Sequence, residues 1–425
     1  DFVENSKALK RRWNGYISTQ VLEKLYSLEK KQNENDTLKI KQSITDLEEK
    51  ARKHVEKRHV DWFKRLNQLE RADRFSIFVN SILAVYGPHT SYYPPKDKED
   101  FDISMSGKLE GIGATLTVKD GYVKVSKIIA GSASWKQGDL EAGDLLLEVA
   151  QGDSTPVDLY DMRLDKAVRF IRGPKGTEVR LTVKKVDGST QIIPIIRDVV
   201  VIEETYAKSL VMKQDGDSTN YGYIHLGSFY AEFGKRNGKR CSKDVLAQIE
   251  YLKKSNIEGI VLDLRNNGGG SLSDAVDMVG YFIKSGPVVQ VDGVGQAPQE
   301  YTDRDPDIQF KKPLVVMINN FSASASEIFA AAIQDYNRGV IVGSNSFGKG
   351  TVQRFYSLKD VANQDGIYQD EKELGDVKQT IAKFFRINGG ATQLKGVEPD
   401  VKLPDVYEHI EIGEKEYDHA LAWSS

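Results

Sequence analysis

One cysteine, Cys241, is too few for a disulfide within the chain, so cysteine usage says nothing of compartment. No window approaches about eighteen apolar residues, which excludes a helical membrane span. Charge is nearly balanced, 59 Lys and Arg against 62 Asp and Glu, without the concentrated basic excess that grips nucleic acid. The six histidines are His54, His59, His89, His225, His409 and His419. None forms an HExxH pair or stands with cysteine at zinc-ligand spacing, so no metal or cofactor is expected. No Walker-type phosphate loop occurs. Asp1-Phe2-Val3-Glu4 is charged rather than apolar, unlike a signal peptide, and the chain is expected to be a processed or trimmed piece. Its 425 residues, 40% of them hydrophobic, suffice for about two to four domains with real cores.

The chemistry concentrates in Asn319–Gln353. The apolar run Leu314–Ile318 reads as a buried strand, followed by small residues and then a helix with Ile328, Phe329, Ala332 and Ile333 on its apolar spacing. Glu327 falls in that helix's first turn. A hydroxyl at a strand-to-helix turn projects outward, beside N–H groups that can face an oxyanion. Three serines compete for that place, Ser322, Ser324 and Ser326. A second buried strand, Gly339–Gly343, leads to Phe347-Gly348-Lys349-Gly350, where flanking glycines allow close backbone approach. An unperturbed lysine is neutral in only roughly one molecule in two to three thousand at pH 7, so a lysine base must be desolvated. Gln353 falls on the same side as Lys349 whether the segment is helix or strand.

Elsewhere, residues 1–85 read as helical, with Leu9, Trp13, Ile17, Val21 and Leu25 at helical spacing and a second run at Val55–Leu69. Pro88, Pro94 and Pro95 break that pattern, and His89 reads as a structural linker residue. Short strands and turns follow from Leu109 to about Arg197: Tyr122–Ile128, the Gly138–Asp144 turn, a helical Asp165–Ile171 and alternating Val179–Val183. From Val199 strands and helices alternate: Tyr221–Leu226, Lys243–Lys254, Ile257–Leu264 and Leu272–Ile283, implying a layered α/β domain. His225 reads as a packed strand residue. A Ser-His-Asp triad stays open by spacing alone, although no histidine sits in a Gly-rich turn.

The motifs Ser322-Ala323-Ser324-Ala325-Ser326-Glu327 and Phe347-Gly348-Lys349-Gly350-Thr351-Val352-Gln353 resemble the signature of the carboxy-terminal processing, or tail-specific, serine peptidases. The resemblance implies Ser324 as nucleophile, Lys349 as general base and Gln353 holding the lysine. It also implies an oxyanion hole from Gly270, at the end of Arg265–Gly270, and Ala325. Ser344 and Ser346 depart from the family's Glu and Thr, and Gly87 from the Asp of its D-P-H-T-S-Y segment. Residues 106–200 resemble a PDZ domain, with Gly111-Ile112-Gly113-Ala114 as the loop offering N–H groups to a terminal carboxylate. Ile112, Leu116 and Val168 are expected to line its apolar pocket, and Arg163 to stand where the groove helix starts.

The expected architecture is α+β and multidomain: a helical region 1–105, the PDZ domain 106–200, a crotonase- or Clp-like α/β peptidase core 201–408, and a tail 409–425 leading to a further C-terminal region. The expected function is endopeptidase action, through a Ser-Lys dyad, on proteins recognised by free apolar C-termini, on the periplasmic or cell-envelope side of a bacterium. The helical region would serve an adaptor, self-association or substrate gating. One alternative is a PDZ adaptor on an inactive hydrolase scaffold. The other is a crotonase-like acyl-CoA enzyme, which gives no reason for a PDZ domain.

Overall fold

Two helices, Ser6–Asn33 and Ile44–Asn67, form most of the first of two units, residues 1–75. Asn5 caps the first by accepting the Ala8 N–H, and Ser43 with Asp46 makes a capping box on the second. They run antiparallel: Val21 packs with Ala51 and Val55, while Trp13 meets Trp62 and Phe63. The computed structural model describes residues 3–34, 41–213, 216, 219–295, 297–364, 366, 373–407 and 409–425. The helical expectation for 35–40 lies outside these.

The second unit, 76–425, contains a small β domain and a layered α/β domain. The β domain sheet runs in the order Ala114–Lys119, Tyr122–Ile128, Leu145–Gln151, Glu178–Lys184 and Thr190–Ile196. Val179, Leu181 and Val183 alternate inward and, with Leu146 and Ile193, bury a core that helix Leu164–Ile171 closes through Ala167 and Ile171. An antiparallel ribbon, Lys108–Gly111 with Asp198–Val201, joins this domain to the rest.

The larger domain is built on the sheet Lys208–Lys213, Asn220–His225, Ile257–Asp263, Leu314–Ile318, Val340–Gly343 and Val401–Lys402, parallel after its first pair. Its central strands are almost continuously apolar because helices cover them, as buried parallel strands require. A second, antiparallel sheet combines Ser91–Tyr93, Asp376–Phe385, Gly286–Gly293 and Gln299–Asp303, with Thr351–Ser357 paired to Asp376–Phe385. Gln353 therefore lies on a strand. Helix Ala325–Asp335 packs on both sheets, against Val340–Gly343 of the first and Gly286–Gly293 of the second, and its first nine residues, Ala325 to Ile333, are all buried.

Candidate active site

Strand Leu314–Ile318 delivers the chain into a turn that ends at Ser324, the residue before helix Ala325–Asp335. Ser324 adopts φ 57° and ψ −112°, a left-handed setting that costs a non-glycine residue of order 1–3 kcal/mol. Its rivals are occupied elsewhere. Ser322 Oγ donates to Leu264 O at 2.8 Å and Ser326 Oγ to Asn267 O at 2.8 Å, and both are fully buried. Ser324 alone of the three is partly exposed.

The glycine loop after strand Ile257–Asp263 packs directly on this turn. A Cβ at Gly269 would lie 2.8 Å from Ser324 Cβ and 3.1 Å from Ala325 N, so only glycine fits there. Among the described residues, no acceptor pairs with the N–H of Gly270 or of Ala325. Two donors thus stay unspent beside the Ser324 turn.

The lysine turn is tied to the serine turn by Glu327, which is fully buried. Its Oε2 accepts from Ser324 N and Lys349 N at 2.7 and 2.9 Å. Its Oε1 accepts from Ser346 Oγ and Gly348 N at 2.6 and 2.7 Å. Burial pushes the Glu327 carboxyl up to about 7, against the pull of those four donors. Burial also holds the Lys349 ammonium down, to about 8. Lys378 adds to that depression, while Glu414 and Glu327 oppose it. Gln353 donates through Nε2 to Thr351 Oγ1 at 2.8 Å and Thr380 Oγ1 at 3.3 Å. Among the described residues, no hydrogen bond joins Ser324 Oγ to Lys349 Nζ, or Lys349 Nζ to Gln353. The fold brings the two turns together by their backbones, through Glu327.

In the β domain, Gly113 has φ +79°, and a Cβ there would lie 2.1 Å from Ser132 Cβ. The carbonyls of Ile112 and Gly113 accept from Ser134 N and Ile129 N at 2.8 and 2.9 Å. Among the described residues, their own N–H groups have no acceptor, as a carboxylate-binding loop needs. Gly111 pairs with Asp198, and Ala114 starts the strand that carries Leu116. Ile112 is buried in the domain core with Leu116 packed against it, while Val168 is half-buried on helix Leu164–Ile171. Arg163 precedes that helix and donates to both oxygens of Asp165, at 3.0 and 3.1 Å. Asp165 Oδ2 also takes Lys96 Nζ at 2.7 Å.

Comparison with known proteins finds three matches along the chain: the tail specific protease N-terminal domain at 1–96, the PDZ domain at 101–184, and peptidase family S41 at 220–403. The carboxy-terminal-processing protease of Bartonella bacilliformis is 31% identical, over 80% of this chain and 73% of its own. The chain belongs to peptidase family S41. The tail-specific protease of Haemophilus influenzae is 39% identical over 91% of this chain, which spans only 54% of that relative's length. A solved photosystem II D1 C-terminal processing protease covers 91% of this chain and 93% of its own, at 23% identity and a TM-score of 0.44.

In this S41 chain, sequence reasoning noted Glu327 without giving it a role. The pattern Ser324-x-x-Glu327 is a capping-box spacing, and that signal was available. Glu414 and Gln393, which also hold the lysine turn, carry no such signal.

Proposed function

We propose that the chain is a serine endopeptidase acting through a Ser324–Lys349 dyad on proteins presented by their C-termini. The observation that carries this is Glu327, one carboxylate holding the backbones of both residues. Neutral Lys349 takes the Ser324 hydroxyl proton as Oγ bonds to the scissile carbonyl carbon. The oxyanion faces the N–H groups of Gly270 and Ala325. The lysine proton then passes to the leaving amine as the C–N bond breaks. Water repeats the attack on the ester, gives its proton to Lys349, and frees Ser324. Gln353, on the neighbouring strand, orients the amine.

With the Lys349 ammonium held down to about 8, roughly one molecule in ten has a neutral lysine at pH 7. The Ile112 and Gly113 N–H groups bind the substrate's terminal carboxylate, and apolar terminal side chains sit against Leu116 and Val168. We place the protein on the periplasmic or envelope side of a bacterium; no described helix is long and apolar enough to cross a membrane. Tyr16, Trp62 and Phe63, all exposed on the first unit, suit an adaptor or a second copy. Incubation of a peptide with a free apolar C-terminus tests the function: the parent cleaves it and Ser324→Ala does not. Equal turnover by that variant contradicts it.

A further inference from the structure

The turn Phe347-Gly348-Lys349-Gly350 has a second anchor, outside residues 220–403 matched by the peptidase family. Glu414 is fully buried, and its N–H donates to Phe347 O at 2.9 Å. Its Oε1 accepts from Gln393 Nε2 at 3.1 Å, and Gln393 Oε1 accepts the Gly350 N–H at 2.7 Å. Both flanks of Lys349 therefore hang on Glu414, one directly and one through Gln393. Its remaining oxygen, Oε2, meets His89 Nε2 at 2.7 Å, across 325 residues of sequence. The His89 ring packs edge-on against Tyr417, which faces Phe347 in turn.

A buried carboxylate costs several kcal/mol unless it is paired and hydrogen-bonded. Scaffolding alone needs no charge there, because a glutamine could bridge Phe347 and Gln393. The fold instead keeps a carboxylate near the lysine and satisfies it with a histidine from the segment before the PDZ domain. The other charged groups facing Lys349 are Lys378, from strand Asp376–Phe385, and Glu327, from helix Ala325–Asp335.

We propose that Glu414 and His89 are positioning residues for Lys349, fixing its turn and supplying a charge that sets the pH range in which the enzyme works. The proposal rests on Lys349 being the base. His89 is then more than a linker residue: it keeps Glu414 paired, and neither side chain needs to touch substrate.

The test compares pH profiles of kcat/KM for a short peptide substrate. The parent is measured beside Glu414→Gln, His89→Gln, His89→Leu and Lys349→Ala, each checked for folding by thermal melting. Removing the carboxylate charge in Glu414→Gln lowers the lysine pKa further, so the acid limb moves to lower pH by about one unit. His89→Gln keeps a donor for Glu414 and stays close to the parent. His89→Leu loses kcat by roughly ten- to a hundredfold with KM little changed, as misplacement of a catalytic group does. An unmoved acid limb in Glu414→Gln, or parent kcat in His89→Leu, overturns the proposal while an inactive Lys349→Ala leaves the base assignment standing. An active Lys349→Ala removes the base itself. If Glu414→Gln does not fold, the two His89 variants decide: equal kcat in both is a contradiction, and rescue by glutamine alone is support.

Discussion

The backbone N–H groups of Ser324 and Lys349 donate to the same oxygen, Oε2 of Glu327, at 2.7 and 2.9 Å. Register between the proposed nucleophile and base is thus set by one side chain rather than by the two reacting groups. The other oxygen takes Gly348 N and Ser346 Oγ. Ser346 Oγ already accepts from Val397 N at 2.6 Å, so its proton goes to Glu327. All four contacts are donors, an arrangement suited to the ionised carboxylate.

Glu327→Gln puts an amide NH2 where backbone N–H groups point. Each donor left unsatisfied costs about 1–3 kcal/mol, so the variant melts at lower temperature and loses at least about a hundredfold in turnover. Thermal melting and a peptide assay check this; parent-like values in both contradict the role given to Glu327.

Lys349→Met is inactive yet more stable than the parent. Burial lowers the Lys349 pKa from 10.5 to about 8, so the ammonium is worse off folded than unfolded. A depressed folded pKa gives a contribution that is full above 10.5 and lost as pH falls through 8. Replacing the lysine therefore stabilises the fold at pH 7 by up to about 3 kcal/mol, and the gain shrinks as pH rises from 8 toward 10.5. Melting of both proteins at pH 7 and pH 10 measures it; a destabilised variant at pH 7 refutes the desolvated lysine.

Ser324→Ala and Ser324→Gly are both inactive but differ in stability. Alanine keeps the cost of φ 57°, whereas glycine accepts that backbone setting. Glycine should be the more stable of the two by about 1 kcal/mol, after its own entropy cost. A glycine variant that melts below the alanine variant shows the turn to be unstrained.

Amidating the C-terminus of a cleaved substrate should weaken it about tenfold or more, since the free N–H groups of Ile112 and Gly113 lose a charged acceptor. Gly113→Ala should weaken the acid form similarly, because its Cβ would lie 2.1 Å from Ser132 Cβ. Equal cleavage of acid and amide removes the loop from recognition.

Much of the core was legible in the sequence. Strand Leu314–Ile318 and helix Ala325–Asp335 show plainly, because buried parallel strands are unbroken apolar runs and the helix is alanine-rich. Ser322 and Ser326 could not be set aside from sequence, since their burial depends on Leu264 O and Asn267 O in another loop. The antiparallel sheet of Gly286–Gly293, Thr351–Ser357 and Asp376–Phe385 was hidden: its strands are half polar and pair across long sequence gaps. Pro95 reads as a break, yet it opens helix Pro95–Ser106 at a position where proline's missing N–H costs nothing. Glu414 and His89 meet only because the fold closes 325 residues of chain.

The most direct measurement is the rate at which a fluorophosphonate probe labels the protein between pH 5 and pH 11, with the modified residue found by mass spectrometry. Labelling should fall on Ser324 and reach half its maximum near pH 8, where Lys349 becomes neutral, above the pH near 7 at which Glu327 ionises. It should vanish in Lys349→Met. Labelling of another serine, or a rise centred near the ordinary lysine value of 10.5, contradicts the dyad.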